Sequence, residues 1–268
     1  MMKQNKLRYL LDNNLPSTST RMWSTWPFYY EIMGDSGNWD YVEFVAEYSP
    51  FTGYDLENIC RACELYNMAS MIKVDFFNRF YVMQKAIAAG FQGVMLADHR
   101  TPDQVRESIR AITPETLEDK GLFGYPNRRY IGAQSHIGQV EHAQRLKDIV
   151  VSVMIEKASM VDSIEEVCSI PGVDMIQFGP SDFCMSLSWN RAEHAKDIQD
   201  AQRKCIEVAL KHGVQPRCEI NTPEEAQWFI DLGVKHFSYG DQLRKLRELW
   251  EGDGKVIRAI ADSCIEKK

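Results

Sequence analysis

The sequence has no apolar run that approaches the roughly 18 residues needed to span a bilayer. It has no block rich in lysine and arginine either, and its net charge is -7, so nucleic acid is not expected as a partner. Its first residues, MMKQNKLRYLLDNNLP, lack the apolar run and small-residue cleavage site of a secretory signal. These absences predict a cytoplasmic protein with no membrane contact.

No second CxxC motif lies at the spacing of a zinc site. The seven cysteines are an odd number in a chain without a secretory signal, so reduced thiols are expected. Cys60 and Cys63 form a single CxxC in a segment that has the pattern of a helix. A lone CxxC is a weak signal, so we expect both thiols to be packed, with a redox or metal role as the alternative.

Strand-like and helix-like segments alternate along all 268 residues, and no Pro/Gly/Ser-rich linker divides them. Eight such strands predict a single-domain (β/α)₈ TIM barrel over residues 1–268. A doubly wound open sheet is the alternative, but the phosphate-binding pattern GxGxxG is missing after the first strand. A longer loop or helix segment is expected at about 112–147 over one barrel face. The strands are predicted at 21–26, 41–47, 70–76, 93–98, 149–156, 175–179, 215–220 and 236–240.

Polar side chains follow two neighbouring strands where the fold would place an active site. In VDMIQFGPSDFCMSL (173–187) a buried strand ends on Gly179-Pro180, and Ser181 and Asp182 come next. Asp182 is either a helix N-cap or a metal ligand. Glu156 ends the preceding strand, and neighbouring strands lie about 4.8 Å apart, so both carboxylates can reach one ion. Two acids plus waters suit a hard divalent cation, Mg²⁺ or Mn²⁺.

The segment VMIEKASMVDSIEEVCSIPGVDMIQFGPSDFCMSL (153–187) resembles the signature of the HpcH/HpaI aldolases. The resemblance implies a carbon–carbon lyase that acts on a 2-oxo acid such as pyruvate and on an aldehyde acceptor, through a metal-stabilised enolate. It implies that Glu156 and Asp182 are the metal ligands. It also implies that Gly179 and Pro180, with the turn residue Ser181 beside them, shape a turn that receives the substrate carboxylate. A homo-oligomer, trimer or hexamer, is expected on the same ground.

The sequence departs from this family at the residues that move protons. The family usually carries Asp-x-Glu-His after its second strand, where this chain has Val45-Ala46-Glu47-Tyr48. Three groups are candidates for the missing base: water on the metal positioned by Glu47, then His99, which follows the fourth strand, and then Tyr48, which is better suited as a donor.

Three further residues complete the predicted site. Lys73 stands where the family has an arginine that binds the substrate ketone oxygen, and it would act as a point charge. A Schiff-base role or a salt bridge at the barrel mouth are its alternatives. Arg128 is expected to bind an anionic substrate tail, and Trp23 to form a wall of the site or part of the core.

Two other functions remain open at this point. A decarboxylase or cyclising enzyme would use the same enolate and need no histidine base. A barrel that binds a ligand without catalysis would also tolerate Val45 and Tyr48.

Overall fold

Eight parallel strands close into a barrel in which each strand pairs with its neighbours in sequence order. The computed structural model describes residues 4–126, 128–129 and 137–265. It confirms the (β/α)₈ barrel, since the first strand pairs with the eighth. The strands are β1 Ser17–Met22, β2 Tyr41–Val45, β3 Ala69–Val74, β4 Gly93–Leu96, β5 Val150–Ile155, β6 Met175–Phe178, β7 Gln215–Ile220 and β8 His236–Asp241.

Helices surround the barrel and bury their apolar faces against the outer side of the strands. Local signals start several of them. Thr52 and Asp55 form a capping box, and Thr101 caps a helix that has Pro102 in its first turn. The helices are α1 Lys6–Asp12, α2 Pro27–Asp35, α3 Gly53–Leu65, α4 Arg79–Ala89, α5 Pro102–Ile112, α6 Gln139–Lys147, α7 Ala158–Asp162, α8 Ile164–Cys168, α9 Pro180–Ser186, α10 Ala195–Lys211, α11 Ala226–Asp231 and α12 Gln242–Ser263.

The first strand lies four residues earlier than its predicted start. The predicted strand was RMWSTW (21–26), whereas β1 is the polar segment STSTRM at Ser17–Met22. Ser17 and Ser19 are buried although they are hydroxyl residues. The prediction was wrong because hydrophobic periodicity cannot detect a strand whose buried face is polar.

A charged network explains why the barrel interior accepts polar strands. The Arg217 side chain is fully buried and lies 2.6 Å from the Glu43 carboxylate. Its guanidinium also donates hydrogen bonds to the Tyr41 hydroxyl at 2.7 Å and the Ser238 hydroxyl at 2.9 Å, and to the Gln177 side-chain oxygen. Burial alone would lower the pKa of Arg217, but the interactions with the Tyr41 hydroxyl and the Glu43 carboxylate outweigh it and raise the pKa. Arg217 is therefore a permanent cation at the barrel centre.

Two other predictions concern segments outside the barrel strands. Cys60 and Cys63 are buried in α3, and burial raises the pKa of Cys60 to about 12, which agrees with packed thiols. The segment 112–147 contains a bridge between Pro114 and Phe123 and then α6, while residues 127 and 130–136 lie outside the described part. Among the described helices, none is both long and apolar enough to cross a membrane.

Candidate active site

Glu156 follows the last residue of β5 and is held in place at the mouth of the barrel. Its carboxylate accepts a hydrogen bond from the Asp98 backbone N–H at 2.6 Å, and only 2% of the residue is exposed. Asp98 adopts a left-handed backbone with φ of 59°, which an L-residue keeps only where its surroundings fix it. This strained turn after β4 aims the N–H at the carboxylate. Glu156 is thus oriented rather than mobile.

Gly179 lets the end of β6 approach that carboxylate. A Cβ atom at this position would lie 2.8 Å from the Cβ of Glu156 and 3.0 Å from its second carboxylate oxygen. Any side chain here would force Glu156 aside. The absence of a side chain leaves open space beside one oxygen of the carboxylate.

Asp182 is the third residue of α9 and does not serve as its N-cap, since Gly179 holds that position without a side-chain hydrogen bond. The Lys157 ammonium lies 3.4 Å from the Asp182 carboxylate but 2.5 Å from that of Asp98. Lys157 is thus bound more closely to Asp98. The helix-cap interpretation of Asp182 does not apply, and its carboxylate is available to another group.

Lys73 is the last residue but one of β3 and forms a short, largely buried ion pair with Glu47, with 2.6 Å between the charged atoms. Burial disfavours its charged form, but the carboxylates of Glu156 and Glu47 outweigh that penalty and raise the pKa of Lys73. An ammonium held so firmly is a poor nucleophile. The structure therefore favours the point-charge role of Lys73 over a Schiff base.

The charges at the barrel mouth do not balance. Lys73 pairs with Glu47, and Lys157 is shared between Asp98 at 2.5 Å and Asp182 at 3.4 Å. With Glu156, these make four carboxylates for two ammonium groups. Burial raises the pKa of Glu156, and the negative charge of Asp182 raises it further. A cation of two positive charges would remove this excess.

The donor set fits a hard divalent ion. Within the described ranges no group of three or more His, Cys, Asp or Glu side chains could hold a metal, so two carboxylates are what the protein offers. The remaining coordination positions would fall to water and substrate, which is typical of Mg²⁺ and Mn²⁺ sites. The open oxygen of Glu156 beside Gly179 is a suitable ligand atom.

A cavity of about 470 Å³ lies over these side chains, at the C-terminal ends of the strands. It brings six of the predicted site residues together. Arg21, Glu219 and Asn221 also line it, although the sequence predicted no role in the site for them. Arg21 was missed because the first strand was predicted to begin at this residue, whereas Arg21 lies one residue before the end of β1. The six predicted residues are Lys73, Glu156, Gly179, Pro180, Ser181 and Asp182.

Tyr48 and Trp23 stack on each other near this cavity without lining it. Their ring centroids are 6.5 Å apart with an interplanar angle of 19°. Partial burial, followed by the negative charge of Glu47, raises the pKa of Tyr48 to about 12. Its hydroxyl stays protonated at neutral pH, so Tyr48 can donate a hydrogen bond but is a poor base.

The structure does not bring His99 to the site, which corrects its prediction as a base. The ring is fully buried, with Nδ1 2.8 Å from the Ala97 carbonyl oxygen and Nε2 2.7 Å from the Ser108 hydroxyl. Burial lowers the pKa of His99 to about 4. Nδ1 is bound to the backbone just after β4 and Nε2 to α5, so neither nitrogen is available to the cavity.

Arg128 also lies away from the site. The prediction that it binds the substrate is therefore wrong for a site formed by one chain. Its guanidinium forms an ion pair with Glu57 on α3. It lines a separate cavity on the outer surface, together with Tyr54 and Tyr81. The sequence pattern of the loop could not show that α3 offers Arg128 a carboxylate partner.

Buried histidines predict a loss of stability in mild acid. The pKa values of His99 and His236 are both lowered to about 4, in each case by burial first. The unfolded chain binds protons near pH 6.5 while the folded chain does not, so stability falls as the pH drops from 6.5 to 4. The loss should be on the order of 3 kcal/mol per histidine at most, measured by urea unfolding across this range.

Histidine variants show whether the loss of stability comes from protonation of the buried histidines or from general acid denaturation. His99→Gln and His236→Gln should each flatten the decline with pH, whatever their stability at pH 7. His194→Gln is the matched control, because His194 is only partly buried and pairs with Asp197 at the surface. An unchanged slope in both buried-histidine variants would contradict the prediction.

Comparison with known proteins places the chain among aldolases. The family model of the HpcH/HpaI aldolase/citrate lyase family matches residues 54–239. The hydroxypyruvate/pyruvate aldolase of Sagittula stellata is 26% identical over 192 residues, which cover 70% of this chain and 73% of that protein. The 5-keto-4-deoxy-D-glucarate aldolase of Klebsiella pneumoniae is 23% identical, over 82% of this chain and 84% of that protein.

A solved structure confirms the fold. A HpcH/HpaI aldolase/citrate lyase family protein from Burkholderia cenocepacia superposes with a TM-score of 0.85 at 21% identity, covering 95% of this chain and all of that one. At this level of identity the similarity establishes the shared barrel alone.

Proposed function

The chain belongs to the HpcH/HpaI aldolase/citrate lyase family, and from this premise we propose that it is a metal-dependent carbon–carbon lyase acting on a 2-oxo acid. One observation carries the proposal: two ammonium groups, Lys73 and Lys157, face four carboxylates at the barrel mouth, among them Glu156 and Asp182. Family membership and the lining of the cavity support it.

Glu156 and Asp182 would hold the ion, with Mg²⁺ or Mn²⁺ as the proposed metal. When bound, such an ion supplies Lewis acid stabilisation of the negative charge that develops on the oxygen of an enolate. Lys73 places a second positive charge beside the substrate oxygen, and Glu47 fixes the direction of its ammonium. The substrate carboxylate is placed at the start of α9 beside Gly179, Pro180 and Ser181, where first-turn N–H groups have no partner within the helix.

Proton transfer needs a group other than histidine. His99 is enclosed between α5 and the barrel, and Tyr48 has a pKa near 12. We therefore infer that a water molecule positioned by Glu47 moves the proton, while Tyr48 donates a hydrogen bond to the substrate.

The test separates enolate formation from the choice of acceptor. Protein incubated with pyruvate in D₂O should exchange the methyl protons of pyruvate only with Mg²⁺ or Mn²⁺ present, as followed by NMR, and EDTA should stop the exchange. Turnover would then be screened with pyruvate, oxaloacetate and 2-oxobutyrate against a panel of aldehydes. Loss of CO₂ from oxaloacetate without any aldol product would favour a decarboxylase. Metal-loaded protein inert in every assay would favour a binding barrel.

We also propose that the protein is cytoplasmic and assembles into a trimer or hexamer. None of the residues of α12 is buried, and an apolar stripe runs along this helix at seven-residue spacing through Leu243, Trp250 and Ile257. A second copy of the chain would cover this stripe.

Light scattering at micromolar concentration should report the oligomer and its dependence on this stripe. The double variant Trp250→Asp/Ile257→Asp should reduce the molar mass toward that of one chain, because it places charge in an apolar contact. Lys255→Asp, on the opposite side of the same helix, is the control and should leave the mass unchanged. A monomeric parent protein would contradict the proposed assembly.

A further inference from the structure

Lys157 lies between two carboxylates at the barrel mouth and is closer to the one that is not a proposed metal ligand. Its ammonium is 2.5 Å from the Asp98 carboxylate and 3.4 Å from that of Asp182. The first distance is that of a close ion pair, whereas the second is longer than a normal hydrogen bond. The positive charge of Lys157 is therefore directed mainly at Asp98.

The backbone of Asp98 contacts the other proposed ligand. Its N–H donates a hydrogen bond to the Glu156 carboxylate at 2.6 Å. One residue thus orients Glu156 through its backbone and binds Lys157, the next residue in the chain, through its side chain. Both contacts depend on the turn that carries Asp98.

That turn is fixed by hydrogen bonds to two helices. The His99 ring is bound at Nε2 to the Ser108 hydroxyl of α5, at 2.7 Å. The Arg100 guanidinium donates a hydrogen bond to the Asp98 carbonyl oxygen at 2.8 Å, and the Arg100 carbonyl oxygen accepts one from the Ser159 hydroxyl of α7 at 2.8 Å. These contacts maintain the left-handed backbone of Asp98, so its carboxylate has a defined position.

We propose that Asp98 is a positioning residue of the metal site: its carboxylate holds the Lys157 ammonium away from Asp182 and so keeps that ligand open to a divalent cation. The inference rests on the proposed metal-dependent lyase function and names a residue that controls its metal affinity. Asp98 acts through Lys157 in this account. Without the Asp98 charge, the ammonium would turn to Asp182, and a metal ion would have to displace it.

Lys157 is the cation whose choice of partner decides this. Among the described residues, no other ammonium or guanidinium lies within 4 Å of the Asp182 carboxylate. The Lys73 ammonium is held by Glu47 at 2.6 Å. The Lys157 side chain is 14% exposed, so water replaces a lost carboxylate partner poorly. The nearest alternative partner among its ion pairs is Asp182.

Asp98→Asn should weaken the binding of Mg²⁺ and Mn²⁺ about 10- to 100-fold, because a charged hydrogen-bonding group contributes this much. Calorimetric titration of metal-free protein with each ion measures the change. Asparagine adopts the left-handed backbone as readily as aspartate, so the turn and the N–H contact to Glu156 are kept and only the charge is lost. Asp98→Gly also permits this backbone and should have the same effect, which covers the case in which Asp98→Asn does not fold.

Two further variants complete the comparison. Lys157→Met should bind the ions at least as tightly as the wild type, since it removes the competing cation. Asp103→Asn is the control and should bind them as the wild type does. Asp103 is an exposed carboxylate of α5 that pairs with Arg106 and does not line the cavity.

The double variant Asp98→Asn/Lys157→Met separates a change of partner from a simple loss of negative charge. If Asp98 acts through Lys157, Asp98→Asn should change the affinity by about threefold or less once Lys157 is methionine. A simple loss of charge would weaken binding by the same factor with or without Lys157. That additive result would overturn the inference and leave the lyase function standing.

Unfolding in EDTA tests the change of partner without any metal. A double-mutant cycle of Lys157→Met and Asp182→Asn, measured with urea, gives the coupling between these two side chains. The coupling should be close to zero in the wild-type background and about three- to tenfold in the folding equilibrium constant in the Asp98→Asn background. Equal coupling in both backgrounds would refute the role of Asp98. Failure of pyruvate proton exchange, with both results as expected, would refute the lyase function and not the role of Asp98.

Discussion

Glu156→Gln and Asp182→Asn should each strip the divalent ion from the protein and reduce kcat/KM about a thousandfold or more. Either change removes one of two anionic ligands, and a hard cation binds a neutral amide much less strongly than a carboxylate. Metal content after dialysis, measured by mass spectrometry, and pyruvate proton exchange are the two readouts. Glu165→Gln is the control, because Glu165 is an exposed carboxylate that pairs with Lys211 and His212 away from the cavity.

Thermal stability gives the same prediction a second readout. Without metal, Glu156→Gln should melt at the same temperature as the wild type or higher, because burial raises the pKa of Glu156 and so makes its ionised form costly. With saturating Mg²⁺ or Mn²⁺ the wild type should gain stability by mass action, and the variant should not. Stoichiometric metal in both ligand variants would show that the carboxylate pair is not the metal site.

The sequence was sufficient for the barrel and for the carboxylate pair because both follow from simple periodic signals. Strands β2 to β8 are recognisable from their composition and regular spacing along the chain. Glu156 comes directly after β5, and Asp182 comes four residues after the end of β6. In a parallel barrel such strand ends meet at one face, so the pair could be placed without any contact information.

The residues that were misplaced depend on contacts that a sequence does not display. His99 also follows a strand, but the left-handed turn at Asp98 precedes it, and the ring lies on Ser108 of α5 instead of in the cavity. Arg128 is drawn to Glu57, which is 71 residues away in the chain. Which carboxylate such an arginine contacts depends on how the helices pack, and a local sequence pattern does not predict that packing.

The polar interior of the barrel was hidden for a related reason. Ser19 and Arg217 lie on different strands, and neither looks like a core residue by itself. They are buried because they satisfy each other, with 3.2 Å between the guanidinium and the Ser19 hydroxyl. A buried charge is tolerated only where partners surround it, so the whole set has to be known before any member can be assigned to the core.

Arg217→Met should therefore lower the free energy of unfolding by about 3–5 kcal/mol, far more than an ordinary surface change. Without the guanidinium, Glu43 is left as a buried carboxylate, and neither of its oxygens has another hydrogen-bond partner among the described residues. Urea unfolding at fixed protein concentration measures the loss, and Arg106→Met at the surface should change it by about 0.5 kcal/mol or less.

The double variant Arg217→Met/Glu43→Gln decides whether the cost comes from the unpaired charge. Removing both charges leaves no buried ion, so the double variant should be more stable than Arg217→Met alone. The Arg217 and Glu43 side chains are both about 1% exposed or less, and water cannot replace either partner. If the two single losses simply add in the double variant, Arg217 stabilises the barrel through packing rather than through its charge. A non-additive cycle would instead establish the ion pair as the reason that β1 can be a polar strand.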